Sequence, residues 1–358
     1  AHGEGDAASR FLAMEWLDGE DLGHALTRGA LPVEEARLVG RRVAEALVAA
    51  HARGIVHRDL KPANLFLPSG DVARLKVLDF GIARSEAGRP VEATAARITR
   101  TGVIVGSVGY MAPEQARGQR AVDARADVFA LGCVLFECLT GRPAFAGANA
   151  VAVLAKVLME EAPRARQLAP AVPAELDELV ACMLAKEPED RPRDAAAVLR
   201  ALDLSAAARP SSSSGVADRE RRMVTILLAR GVDAPMDDAV ALADGAQIVE
   251  LRGDDPATVA ASRALALRGA HPQARVAIAT ARVADSSGAA YGPIIDRVAS
   301  LALDTPGIAI DDVSARLLGD RFEIARGLLL GTAKPGGRPR TLLGRQSPHV
   351  GRDKELAL

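Results

Sequence analysis

Four side chains able to handle a phosphate and a hard cation fall in two short stretches. Residues 57–64 read His-Arg-Asp-Leu-Lys-Pro-Ala-Asn, and Asp79-Phe80-Gly81 follows. Asp59 and Asp79 offer carboxylates, Lys61 an ammonium and Asn64 a neutral amide oxygen. Two hard oxygen donors from separate loops suit Mg²⁺, which keeps waters and takes phosphate as a co-ligand. Taken singly, Asp59, Asn64 and Asp79 each fit the capping of a turn as well. Their joint occurrence in one order points to a site.

The elements around them are legible from periodicity. Phe11 to Met14 reads as a short strand and Glu15 to Gly19 as the turn after it. Asp21-Leu22 begins a short helix, and Glu34 to Ala52 is a strong one, with Val39, Val43 and Leu47 on one face and Gly54 after its end. Leu65 to Leu67 and Leu75 to Leu78 read as strands about a turn at Ser69-Gly70-Asp71. Residues 82–110 have no clean period, and a loop that long is commonly functional. Asp127 to Leu139 is apolar nearly all round, which predicts a central buried helix. Further helices fit 149–160, 174–185 and 194–205.

Composition narrows the class. Lys and Arg number 45 against 46 Asp and Glu, a formal charge of -1, so no global field draws in nucleic acid or anionic membrane. Aromatic residues are 3% of the chain, which leaves aliphatic side chains to fill the cores. The 3 cysteines, Cys133, Cys138 and Cys182, fall in apolar helical patterns and read as reduced, buried thiols of a cytoplasmic protein. The longest apolar runs, such as Phe129 to Phe136, are far short of a membrane span.

With Ala112-Pro113-Glu114 after the first two motifs, residues 11–205 resemble the C-terminal lobe of bacterial Hanks-type serine/threonine protein kinases. The resemblance implies a mainly α-helical lobe, ATP and Mg²⁺ as cofactors, and proteins with Ser or Thr as substrates. Phosphoryl transfer depends on positioned charge. In that family Asp59 would orient the substrate hydroxyl and accept its proton. Lys61 would stand near the transferring phosphate, and Asn64 and Asp79 would hold magnesium. Met14 matches the back of the adenine pocket, while Glu15 and Leu17 match the hinge backbone that bonds adenine. Arg58 would pair with a phosphothreonine, Thr99 or Thr101. Ser107 stands where the family has a Thr contacting the catalytic Asp and Lys, and Val108 falls in the stretch that meets substrate. His57 reads as a packed histidine. Glu114 and Arg191 would form a buried ion pair. Asp127 would cap the central helix and hold the catalytic loop. No Gly-rich phosphate loop, Val-Ala-x-Lys strand or partner helix precedes Phe11. The expectation is therefore a truncated kinase domain over 1–205, weak or inactive alone, from a longer gene product. The alternative is a pseudokinase or scaffold without turnover.

After a Ser-rich linker over 206–219, strands alternate with helices and predict a small α/β domain over 220–333. Arg221 to Leu228, Asp244-Gly245, Val276 to Ala281 and Gly292 to Val298 resemble pieces of a class III nucleotide cyclase, a ferredoxin-like fold. Cyclisation needs two carboxylates for two metals. Arg230 stands where the first is expected, Asp233 is displaced, and Asp244 matches the second. The resemblance implies a degenerate module, nucleotide-sensing, dimerising to give a homodimer, or a plain scaffold. Residues 334–358 read as a linker, and Val350 to Leu356 resembles the lead-in to an AAA-type ATPase module.

Overall fold

The computed structural model describes residues 2–4, 10–12, 15–80, 108–119, 121–207, 221–232, 234–284, 291–304, 307–333, 341–342 and 345–346. Met14, Thr99, Thr101, Ser107, Asp233 and the ATPase-like lead-in lie outside the described residues.

The first unit is mainly helical. Strands β1 (His2–Glu4) and β2 (Arg10–Leu12) pair antiparallel. Strand β3 (Gly19–Asp21) leads into helix α1 (Leu22–Leu26), whose first turn is capped by Asp21 at 2.9 Å from His24 N. Helix α2 (Val33–His51) buries Val39, Val43 and Leu47, as its spacing predicts. Strands β4 (Leu65–Pro68) and β5 (Lys76–Val77) extend β3 into a three-stranded antiparallel sheet.

Helix α3 (Pro113–Ala116) precedes α4 (Ala124–Thr140), the centre of the lobe. Residues 126–136 of α4 are all buried, so its apolar circumference has neighbours on every side. Gly132 permits a close approach, since an added Cβ would lie 2.9 Å from Met183 Cβ. Around it stand α5 (Ala150–Met159), α6 (Ala165–Leu168), α7 (Ala174–Met183) and α8 (Ala195–Ala207). Two expectations are corrected here. Asp123, not Asp127, caps α4, accepting Arg125 N at 2.8 Å; Asp127 lies a turn further in, where its carboxylate faces the loop at His57-Arg58. Cys133 and Cys138 are buried but Cys182 is exposed, because α7 is apolar on one face only and Cys182 lies on the other.

The second unit is a seven-stranded sheet in the order β11-β12-β10-β9-β6-β8-β7. Its strands are β6 (Arg221–Arg230), β7 (Val240–Ala241), β8 (Gln247–Arg252), β9 (Arg275–Ala284), β10 (Ile308–Ile310), β11 (Phe322–Ala325) and β12 (Leu328–Thr332). Only β9 and β10 run parallel. The period of two divides the apolar residues between the faces. Leu227, Val249, Val276 and Ile278 meet α9 (Pro256–Ala270) and α11 (Asp312–Leu318) on one side. Ile226, Leu228, Ile248, Ala277 and Ala279 meet α10 (Gly292–Asp304) on the other, in a core that continues into the helical lobe. Short strands β13 (Thr341–Leu342) and β14 (Arg345–Gln346) pair separately. Among the described residues no helix is long and apolar enough to cross a membrane.

Candidate functional site

Asp127 organises the loop that carries His57 to Asn64. Its Oδ2 accepts His57 N at 2.8 Å and its Oδ1 accepts Arg58 N at 2.9 Å. The carboxylate is fully buried, so these bonds replace its lost hydration. Arg58 sits at φ 64°, a left-handed conformation that an L-residue adopts only when its surroundings hold it there. Two further contacts were not foreseen from sequence. His51, at the end of α2, places Nε2 2.8 Å from Asp127 Oδ2. Gln115 donates to Arg58 O at 2.9 Å and accepts Ala112 N at 3.1 Å, tying the Ala-Pro-Glu segment to the loop. The position of Gln115, next to Pro113-Glu114, was the available signal.

Beyond the turn, Asp59, Lys61 and Asn64 meet one another. Lys61 Nζ lies 2.9 Å from Asp59 Oδ2, with both side chains part-exposed. Asn64 Nδ2 donates to Asp59 O at 2.7 Å and Asp59 Oδ2 at 3.3 Å. The amide nitrogen is committed to the loop, which leaves the oxygen as the atom a cation can take. Asp79 arrives from the other stretch. Leu78 N donates to Asn64 O at 2.8 Å, and His57 Nε2 lies 3.0 Å from Leu78 O. The His57 and Phe80 rings stand 4.8 Å apart. Asp79 is thus held between two anchored neighbours, at φ 51°. His57 is fully buried and serves packing, as its apolar context predicts. A carboxylate on one loop and an amide oxygen on the adjoining one are the donor types that magnesium takes together with phosphate.

The remaining residues are supports. Arg191 meets Glu114 fork to fork, Nη1–Oε1 2.8 Å and Nη2–Oε2 2.9 Å, with both residues buried. The guanidinium also lies 5.0 Å over the Phe129 ring. Arg58 extends Nη2 to Val122 O at 3.5 Å, and its Nε is buried without a hydrogen-bond partner among the described residues. Glu15 is exposed and pairs with Lys76 at 2.7 Å, while Leu17 is half-buried. In the second unit, Arg230 Nη2 lies 2.7 Å from Asp244 Oδ2, and the Asp244 side chain is 1% exposed. Arg230 therefore pairs with the carboxylate that the cyclase resemblance would make a metal donor.

The protein kinase domain family model matches residues 4–201 of the chain. The serine/threonine-protein kinase PknL of Mycobacterium tuberculosis is 42% identical over 195 residues, covering 54% of this chain and 46% of PknL. Pkn1 of Myxococcus xanthus is 42% identical over 227 residues, covering 60% of this chain and 31% of Pkn1. PknD of Mycobacterium tuberculosis is 39% identical over 229 residues, covering 63% of this chain and 31% of PknD. The chain thus spans less than half the length of each of these relatives.

Proposed function

This chain belongs to the protein kinase family, and we infer that it carries the catalytic loop of a serine/threonine kinase that moves the γ-phosphate of ATP to a protein hydroxyl. The observation that carries the reading is the grouping of Asp59, Lys61 and Asn64 beside the anchored Asp79. Asp59 takes the proton from the Ser or Thr hydroxyl as that oxygen bonds the γ-phosphorus, and the bond from the γ-phosphorus to the β–γ bridging oxygen breaks, releasing ADP. Lys61, now on Asp59, supplies positive charge beside the transferring group. Asn64 and Asp79 would hold magnesium, which neutralises phosphate charge when bound. Met14, Glu15 and Leu17 would line the adenine end.

The Nε of Arg58, buried and without a hydrogen-bond partner among the described residues, supports an anionic regulator. A phosphate on Thr99 or Thr101 fits that chemistry. Ser107 would contact Asp59 and Lys61 from the same segment.

The α/β unit reads as a cyclase-like module without metal catalysis, and the Arg230–Asp244 pair supports this. An arginine where a metal ligand is needed opposes a dication.

The test is incorporation of labelled phosphate from Mg²⁺-ATP into Ser and Thr, mapped by mass spectrometry. Whatever incorporation the parent chain supports, weak as a truncated domain is expected to be, Asp59→Asn should lower it by on the order of a hundredfold or more. Equal incorporation by both proteins would defeat catalysis by Asp59.

A further inference from the structure

Helix α5 reads Ala-Val-Ala-Val-Leu-Ala-Lys-Val-Leu-Met, apolar but for Lys156. That lysine is 7% exposed. An ammonium so placed carries a large desolvation cost unless it is answered. The answer comes from the other unit. Lys156 Nζ donates to Asp296 Oδ2 on α10 at 2.6 Å and to Ala146 O at 2.6 Å. The second oxygen of Asp296 accepts Ala148 N at 3.1 Å. One carboxylate thus binds both a buried charge and the backbone of the helical lobe.

Two neighbouring contacts extend this junction. Gly292 begins α10 against Glu160, and an added Cβ would lie 3.0 Å from Glu160 Oε1. Ala243, beyond β7, donates its N–H to Ala116 O at the end of α3, at 2.8 Å. Leu154, Val157, Ile294, Ile226 and Leu228 belong to one continuous apolar core.

Val153, one turn before Lys156 on α5, meets the segment after residue 107. An added Cβ at Gly109 would meet Phe145 O at 3.0 Å and Val153 Cγ1 at 3.7 Å. Val108, Ala112 and Ala116 are fully buried in the same core. Helix α5 therefore touches both the substrate-side segment and the α/β unit.

We propose that the α/β unit is a resident docking partner of α5 and α3, latched by Lys156 and Asp296, and that this latch sets the order of residues 108–119. The regulatory meaning rests on the kinase reading above, in which that segment faces the protein substrate. The latch itself does not. While it is closed, the outer face of α5 is taken by this chain and is closed to any second protein. Release of Asp296 takes away the carboxylate that answers the Lys156 charge and loosens the helix that backs the segment.

The experiment is hydrogen exchange by mass spectrometry on the full chain. The amides of Met111, Ala116, Arg117, Gly118 and Gln119 are reporters, since each donates to a backbone carbonyl here. Asp296→Lys should speed their exchange roughly tenfold or more. The charge-swapped pair, Lys156→Glu with Asp296→Lys, should return it toward the parent rate. If circular dichroism shows Asp296→Lys unfolded, Asp296→Asn carries the test, with a smaller acceleration in the same amides. Unchanged exchange over 111–119 in the folded variant would overturn the proposal, as would faster exchange confined to 150–160. Phosphate transfer is not read, so failure of the kinase reading leaves this outcome distinguishable.

Discussion

Asp127 Oδ1 accepts the backbone N–H of Arg58 at 2.9 Å, and that bond joins the buried core helix to a residue held at φ 64°. The loop that carries Asp59 owes its shape to the hydrophobic centre of the lobe. Asp127→Ala would leave the buried N–H of His57 without its acceptor and release Arg58. The expected loss is on the order of 3 kcal/mol in urea unfolding. His51→Ala removes one bond to the same carboxylate and should cost about 1 kcal/mol. A loss no larger for Asp127→Ala than for His51→Ala would contradict this ranking.

Glu114 and Arg191 are both buried, so breaking the pair differs from replacing it. Arg191→Met alone strands a carboxylate and should cost about 3–5 kcal/mol. Glu114→Leu with Arg191→Met should recover much of that, because no charge then lies unpaired. A double variant less stable than Arg191→Met would show that the ion pair itself contributes net stability.

Burial pushes the Glu160 carboxyl up from 4.5 to about 7, against the pull of Lys156 and Lys186 and with the push of Asp296. The sign follows directly. Between pH 4.5 and about 7 the folded chain holds a proton that the unfolded chain has lost. This group's contribution is therefore full at low pH and fades as pH rises to about 7. Thermal midpoints of the parent should carry this falling component, and Glu160→Gln should remove it. An identical pH slope for parent and variant would refute the assignment.

Much of the lobe was legible because its helices are amphipathic or wholly buried. Val39, Val43 and Leu47 mark α2 by spacing alone, and the apolar circumference of α4 announces its central place. The motifs around Asp59 and Asp79 were readable because their residue types and order are unusual together. The hairpin β11–β12 was missed although Arg326-Gly327, both at positive φ, separates its strands. Asp127 was misread as a cap because helix starts are ambiguous when Asp123 stands one turn earlier. His51 acts through a contact 76 residues away, and Lys156 meets Asp296 140 residues away. No local pattern encodes either, since both depend on how finished elements pack.

The most direct test of the site is calorimetric titration of ATP with and without Mg²⁺, on the parent chain and on Asp79→Ala. Asp79 and Asn64 sharing one cation-bound triphosphate should make parent affinity roughly tenfold or more higher with Mg²⁺, and Asp79→Ala should lose that gain. An undiminished magnesium gain in Asp79→Ala would contradict the convergence of the two loops on a single nucleotide.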